Sequence, residues 1–154
     1  MAVLVENLEI FKFMLPLAKQ GVVLVHVPGG PPPAEVELVS RLAALAPDLP
    51  LYAAFDLDLA GVRIARLVAK RADVEMQIDL MAPRLLDAVS HRLELSDWDR
   101  RELERLEGRA GAFEPLRAAI AQCGEKVEQE TLQRERGFES RRLGGWMSDM
   151  AMCG

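Results

Sequence analysis

The chain has 154 residues, half of them hydrophobic, which suits one domain with a full core and excludes a disordered protein. A net charge of −5 without a block of basic residues argues against a nucleic-acid binder that relies on bulk electrostatics. Two cysteines, Cys123 and Cys153, do not make a disulfide framework or a zinc site, and no apolar run has the length of a membrane span. These features predict a cytoplasmic protein outside the membrane, with Cys123 as a small core residue.

The first half of the chain alternates short apolar runs with segments of helical periodicity. The run at 22–27 is almost entirely β-branched or apolar, which is typical of a strand buried on both faces of a parallel sheet. Leu8, Phe11 and Leu15 recur at helical spacing and indicate one apolar face. In chain order, the pattern predicts a strand at 2–5, a helix at 8–19, a strand at 22–27, a helix at 34–45, a strand at 51–55 and a helix at 62–71.

A shorter and weaker strand pattern at 73–80 completes a β-α-β-α-β-α-β order. Short connections and buried strands in this order predict a parallel, doubly wound sheet with right-handed crossovers. The predicted fold class is therefore α/β, a Rossmann-like parallel sheet of about four strands flanked by helices.

After Pro83 the segments are charged on one side and leucine-bearing on the other, as helices flanking a sheet should be. Ser96 resembles an N-cap with acids in the first turn behind it. The predicted helices lie at 83–91, 96–107 and 113–123, with a further helical segment at 125–136 that continues past Gly124. The expected organisation is a core at 1–82, a helical extension packed on it at 83–136, and a flexible tail at 137–154.

Two carboxylates follow the third predicted strand, in the stretch LYAAFDLDLAG. Asp56 and Asp58 project toward the crevice at the carboxyl end of that strand, where open parallel sheets usually bind ligands. Two close carboxylates repel each other at neutral pH and favour a cation or a proton between them. Mg²⁺ suits such a place, because it is content with one or two carboxylates plus water and phosphate. Asp-x-Asp is also common in turns, and Asp is a good helix N-cap.

A further acid, Glu6, lies at the end of the first predicted strand and is followed by Asn7. Glu6 either belongs to the same site or is an acid favoured by the dipole of the helix at 8–19. Asn7 either orients the site or caps that helix. His26 lies among apolar neighbours in the second strand, which favours a core histidine over a ligand.

With the strands placed, the chain resembles the Toprim domain of topoisomerases, primases and related nucleases. The resemblance rests on a Glu after the first strand, an Asp-x-Asp after the third, and the stretches VENLEIF, VHVPGGPP, FDLDLAGVRIA and KVEQETLQRE. It covers residues 3–136 and is closest to a bacterial subgroup that includes the nuclease subunit of Wadjet plasmid-defence systems. That subgroup is related to the A subunit of type IIB topoisomerases and to the meiotic double-strand-break protein.

The resemblance implies that Glu6, Asp56 and Asp58 are an acidic triad that binds Mg²⁺ or Mn²⁺ and hydrolyses DNA phosphodiesters. Glu6 would either complete the metal site or take a proton from the attacking water. Gly29 and Gly30 match the glycines after the second strand, and Gly61 matches the turn after the acidic pair. The pair Gly29-Gly30 would let a phosphate approach the backbone, although a proline-rich turn explains it as well.

Partners also follow from the resemblance, because relatives act on DNA within larger assemblies. Arg63, Arg66 and Lys70 share one broad face of the helix after the acidic motif, suited to backbone phosphates or simply to solvent. Cutting both strands would imply a homodimer, and the Wadjet likeness would imply SMC-like partner subunits.

The chain departs from fuller relatives, which carry a DNA-binding arm upstream and a separate domain with a catalytic tyrosine. Its one tyrosine, Tyr52, lies inside the third predicted strand and indicates a packing role. The expectation is therefore a piece or one subunit of a larger machine. Three functions stay open: a metal-dependent nuclease domain, a non-catalytic module that docks DNA or partner subunits, and an unrelated phosphate-handling enzyme, which ranks last because no lysine lies near 74–80.

Overall fold

The computed structural model describes residues 1–136, and the predicted tail at 137–154 lies outside the described residues. The chain begins with three successive strand–helix units. Their bounds are β1 (Ala2–Val5), α1 (Leu8–Ala18), β2 (Val23–His26), α2 (Pro33–Leu45), β3 (Leu51–Ala54) and α3 (Leu59–Ala72).

The three strands form a parallel sheet in the order β2-β1-β3. The central strand β1 is fully buried, and its Ala2 is level with Val23 on one side and Leu51 on the other. The sheet therefore confirms the predicted α/β class with a parallel sheet flanked by helices. Because β2 is an edge strand, Val23 is 39 % exposed, and the prediction of a strand buried on both faces is wrong at this residue.

Alternate residues of β1 serve two apolar layers, as the period of a strand requires. Leu4 belongs to the larger core, which also holds the inward faces of α2 and α3. Val3 and Val5 belong to a smaller cluster against α1. Helices thus cover both faces of the sheet.

Helix α1 is confirmed, but its buried face is not the predicted one. The residues that face the sheet are Ile10, Met14 and Leu17, whereas Leu8 and Leu15 are about half exposed. The helix has apolar residues on almost all sides, so two stripes fit a 3.6-residue period and spacing alone does not choose between them.

The predicted fourth strand at 73–80 is wrong. Asp73 ends α3 in the left-handed region at φ 55°, and the chain then makes a single parallel bridge between Gln77 and Tyr52. Gln77 N donates to Leu51 O at 2.7 Å and its carbonyl accepts from Ala53 N at 3.1 Å. A 3₁₀ turn at Asp79–Met81 follows immediately, so the backbone leaves the sheet before a ladder can form.

The second half of the described chain is mainly helical. The predicted helices at 96–107 and 113–123 are confirmed, and Ser96 and Asp99 form a reciprocal capping box. Two short strands pair in antiparallel fashion beside these helices. The elements are β4 (Leu93–Glu94), α4 (Asp97–Leu106), α5 (Glu114–Cys123), β5 (Glu125–Lys126) and α6 (Gln129–Arg136).

Three predictions for this half are wrong. The segment at 83–91 is a 3₁₀ turn, Pro83–Leu85, followed by turns and bends instead of an α-helix. Gly124 takes a left-handed conformation at φ 72°, which ends α5, so β5 separates it from α6. Cys123, at the last turn of α5, is exposed and is not a core residue. Within residues 1–136, no helix combines the length and the apolar character needed to cross a membrane.

Candidate functional site

The acids singled out in the sequence follow neighbouring strands at the same edge of the sheet. Glu6 comes directly after β1, and Asp56 and Asp58 lie in the loop after β3. Glu6 N donates to Ala54 O at 3.3 Å, which extends the β1–β3 ladder by one bond. Since β1 and β3 are parallel neighbours, the three acids follow the carboxyl ends of these two strands, at the same end of the sheet.

The acidic loop is held by a cap and by a glycine. Asp58 is the N-cap of α3, and its Oδ1 accepts a hydrogen bond from Gly61 N at 2.7 Å. A Cβ at Gly61 would lie only 2.2 Å from the carbonyl oxygen of Asp56. The close turn predicted at Gly61 therefore requires glycine for lack of space, since its φ is unremarkable.

The glycine-rich loop after β2 also lies near the acids. A Cβ at Gly29 would be 3.0 Å from Oε1 of Glu6, whereas a Cβ at Gly30 would meet nothing within 4 Å. His26 lies 3.0 Å through Nε2 from the carbonyl oxygen of Glu6, and its ring packs at 5.5 Å from that of Phe11. The His26 contact is thus to the backbone of Glu6, and Gly29 lies beside its carboxylate.

The three carboxyls form one electrostatically interacting group. Burial, with the charges of Asp56 and Asp58, raises the pKa of Glu6 to about 7. Burial also raises the pKa of Asp56 to about 6 and that of Asp58 above its usual value, although backbone hydrogen bonds act in the opposite direction. Oε2 of Glu6 is buried and accepts no hydrogen bond within the described residues. The fold thus holds these acids in a region that favours a proton or a cation.

The junction of β5 and α6 closes over the acidic loop, a contact that sequence reasoning missed. Leu57 and Val127 exchange two backbone hydrogen bonds of 2.9 and 3.1 Å. Gln129 N, at the start of α6, donates to Oδ1 of Asp56 at 2.9 Å. The stretch KVEQET was noted only as part of the family likeness, and no periodicity in it signals this contact.

Asn7 caps α1, which is one of the two roles left open for it. Its Oδ1 caps α1 by accepting from Glu9 N at 2.9 Å and Ile10 N at 3.2 Å. Its Nδ2 donates to Oε1 of Glu130 at 2.5 Å, so the group it orients is Glu130 and not a member of the predicted triad. The charges of Glu130 and Glu128 contribute to the raised pKa of Asp56.

Lys126 is a second residue that the sequence did not single out, and it joins the site to α4. Its Nζ lies 3.0 and 3.2 Å from the two carboxylate oxygens of Asp99, which is fully buried. The charge of Lys126 also opposes the rise in the pKa of Asp58, which places it near the acidic loop. A cation in this position offsets part of the negative charge of the site.

The structure separates the three basic residues predicted to bind phosphate. The charge of Arg63 acts on Glu6, and its guanidinium lies 5.8 Å from the ring centre of Trp98. Arg66 and Lys70 instead line an open cavity of about 640 Å³ toward the end of α3, together with Glu75. Of the three, Arg63 is the one whose charge contributes to the pKa of a site acid, Glu6.

The donor set suits a hard divalent cation, because it consists of carboxylates and includes an unpartnered oxygen on Glu6. The side chains do not converge, however: within residues 1–136, no three His, Cys, Asp or Glu groups are arranged to hold a metal ion. Asp56 and Asp58 each direct Oδ1 to a backbone N–H instead. Each aspartate can keep this bond and still offer its other carboxylate oxygen to a cation.

Comparison with known proteins adds a family. No curated protein matches the chain. One family model covers residues 1–135, which is nearly all of the described structure. The chain belongs to the family described as "Protein of unknown function C-terminus (DUF2399)".

Proposed function

We propose that this chain is a Toprim-type DNA endonuclease domain that hydrolyses phosphodiesters with Mg²⁺ or Mn²⁺. The observation that carries the proposal is that Glu6, Asp56 and Asp58 follow the carboxyl ends of β1 and β3, and that the charges of the two aspartates act on Glu6. Their raised pKa values and the buried, unpartnered oxygen of Glu6 are costs that a cation would offset. Costs of this kind are expected at functional sites.

In this proposal, Asp56 and Asp58 hold the metal, which would polarise a phosphoryl oxygen and activate water. Glu6 is either a third ligand or the base that accepts a proton from the water. A pKa of about 7 is compatible with the second role, because a general base works best near ambient pH. Gly29 leaves the Glu6 carboxylate accessible from the side of the β2–α2 loop.

The proposed setting is a larger DNA-processing or plasmid-defence complex, as the likeness to the Wadjet nuclease subunit implies. In that setting, SMC-like subunits would deliver DNA, and two copies of the domain would cut its two strands. The acidic net charge supports delivery by partners, since the chain has little long-range attraction for DNA.

The competing function is a non-catalytic module that docks DNA or partner subunits. It is favoured by the capping bonds themselves, because Asp58 with Gly61 and Asp56 with Gln129 give both aspartates a structural role. In this case the acids would stabilise the loop and would bind no metal.

Calorimetric titration of Mn²⁺ separates the two functions. The full chain is expected to bind one or more ions, and Asp56→Asn should abolish binding. Loss of binding in Glu6→Gln would identify Glu6 as a ligand, whereas retained binding would identify it as the base. Asp48→Asn is the matched control, because Asp48 is exposed and precedes β3, at the end of the sheet opposite to the acids. Equal, weak binding by all variants would support the docking module.

A plasmid-nicking assay on the same samples tests the chemistry. Nicking that requires Mn²⁺, disappears in Asp56→Asn and Glu6→Gln, and persists in Asp48→Asn is the expected result. Metal binding without nicking by any sample would contradict the hydrolytic role of the isolated chain.

A further inference from the structure

We infer that Trp98 and Arg63 form a contact site for an unpaired nucleotide of single-stranded DNA beside the acidic group. The inference rests on the proposed function and deepens it, because it states that the strand held at the site presents an unpaired nucleotide. No motif in the sequence assigns Trp98 a role, and it lies at the first turn of α4, outside the stretches that carry the family likeness.

Trp98 is an unusual surface residue in this protein. Six large apolar side chains are substantially exposed within the described residues, and five of them are aliphatic residues of α1, β2 and α2. Trp98 is the aromatic member of the set, at 40 % exposure. An exposed indole offers a large flat surface, which suits stacking on a base or a sugar.

Arg63 is held beside that ring without a carboxylate partner. Its guanidinium lies 5.8 Å from the ring centre, which is a cation–π arrangement. None of the ion pairs among the side chains that the structure describes involves Arg63. The ring therefore fixes the position of the guanidinium while leaving its N–H donors available for a phosphate.

Both residues lie on the side of the acids. The charge of Arg63 acts on Glu6, so the guanidinium is within electrostatic reach of the proposed metal site. Trp98 is followed by Asp99, which is bonded to Lys126, and Lys126 acts on Asp58. A nucleotide with its phosphate at Arg63 and its base on Trp98 would thus be next to the scissile position.

Single-stranded DNA fits this pair better than a duplex does. A base can stack on Trp98 only when it has left its own helical stack. A duplex is usually bound through many phosphate contacts, whereas this contact joins one cation to one aromatic ring. One cation and one aromatic ring match a single nucleotide. The competing explanation is that the pair only fastens α4 to α3, and the experiment below distinguishes it.

The test is binding of fluorescent oligothymidine of about 12 nucleotides, and of a duplex of equal length, to the full chain in EDTA at low salt. The wild type should bind the single strand more tightly than the duplex. Trp98→Ala should weaken single-strand binding about 5- to 150-fold, and Trp98→Phe should restore most of it. Arg63→Gln should reduce the salt dependence of single-strand binding by about one phosphate contact.

Arg41→Gln is the control for charge, because Arg41 is exposed on α2 and paired with Glu37. It should leave binding unchanged. A second readout uses Trp146→Phe, which makes Trp98 the sole tryptophan, and oligothymidine should then quench its fluorescence. Equal affinity of wild type and Trp98→Ala, or no binding by the wild type, would overturn the inference. Because EDTA removes metal, this failure is separate from a failure of Mn²⁺ binding or nicking.

Discussion

The site acids and Asp99 are both held inside the fold, but their surroundings move the carboxyl pKa in opposite directions. Burial would raise the pKa of Asp99, yet hydrogen bonds from Ser96 and Lys126 outweigh it and lower the pKa. At Glu6, burial and neighbouring negative charges act together and raise the pKa to about 7. A buried carboxylate with hydrogen-bond and ion-pair partners stabilises the protein. A buried carboxylate without enough partners destabilises it, and such groups are often found at functional sites.

Lys126 interacts with both Asp99 and the acidic site, but unequally. It contacts both carboxylate oxygens of Asp99 and acts only at longer range on Asp58. The cation that would best neutralise the acidic site is thus already engaged elsewhere. This arrangement leaves the negative charge of Glu6 and Asp56 for an external cation.

Removing the satisfied carboxylate should have the largest effect on stability. Asp99→Asn replaces one acceptor oxygen by an N–H donor, so Ser96 and Lys126 compete for the remaining oxygen, and Lys126, whose side chain is 21 % exposed, loses its counter-charge. The expected loss in the free energy of unfolding at neutral pH is about 3 kcal/mol, measured by urea denaturation. Because a lowered pKa stabilises the fold above the unfolded pKa, the difference should shrink as the pH falls through the lowered value.

Asp97→Asn is the control for this experiment, since Asp97 is an exposed acid of the same helix turn. It should cost less than about 1 kcal/mol by weakening the helix dipole interaction. Equal losses in the two variants would show that the Asp99–Lys126 pair contributes nothing beyond the helix start.

Replacing each of the two site glycines, Gly61 and Gly29, by alanine should have different effects on stability, because one new Cβ would meet backbone and the other a side chain. In Gly61→Ala the new Cβ would lie 2.2 Å from a backbone oxygen of Asp56, so the loop must move and stability should fall by about 2 kcal/mol or more. In Gly29→Ala the nearest atom is a carboxylate oxygen of Glu6 at 3.0 Å, which can rotate away. Thermal and urea unfolding should show a change below about 1 kcal/mol for this variant.

Mn²⁺ affinity should distinguish Gly29→Ala and Gly61→Ala, which we expect to weaken binding, from Gly30→Ala, which should leave it unchanged. Displacing either Glu6 or Asp56 should weaken Mn²⁺ binding, whereas a Cβ at Gly30 meets nothing within 4 Å. Unaltered Mn²⁺ affinity in both Gly29→Ala and Gly61→Ala would contradict a metal site at this edge of the sheet.

Neutralising an unsatisfied acid should stabilise the metal-free protein. The folded pKa of Glu6 is about 7, above the ordinary value of 4.5, so this group costs stability as the pH rises from the lower value through the higher one. Glu6→Gln should therefore gain about 1 to 2 kcal/mol near pH 8 and nothing near pH 4. Urea denaturation in EDTA measures both values.

The same measurement on Asp48→Asn should show no gain, because this acid is exposed. A loss of stability in Glu6→Gln near pH 8 would mean that the carboxylate makes a stabilising contact, which would remove the main energetic argument for a cation at the site.

The parts of the site that were predictable from sequence follow from local rules. Glu6 and Asp56 each come directly after an apolar run, and parallel strands bring their carboxyl ends to one edge. The role of Gln129 was not predictable, because its bond to Asp56 depends on where a distant loop returns. The same holds for the bonds of Asn7 to Glu130 and of Lys126 to Asp99.

The fold, like the site, was predictable in part. Three strand–helix units followed from apolar runs and helical periods, but the missing fourth strand depended on the left-handed turn at Asp73 and the 3₁₀ turn at Asp79–Met81. Such turns are set by a few backbone angles, to which periodicity is insensitive. Likewise, Gly124 ended a helix that the charge pattern alone would have continued.

The smallest effect we expect is the pH dependence of metal affinity, which links the raised pKa values of the site acids to Mn²⁺ binding. A carboxylate must be deprotonated to bind a cation, so protons compete with Mn²⁺ wherever the pKa is raised. With values of about 7 for Glu6 and about 6 for Asp56, calorimetric affinity should rise about tenfold between pH 6 and pH 8 and then level off. Glu6→Gln, if it still binds, should flatten the part of this rise above about pH 6.5, because the remaining acid titrates lower. An affinity that does not change over this range would mean that Mn²⁺ binds carboxylates of ordinary pKa elsewhere on the chain, and the raised values at this site would then reflect burial without a ligand.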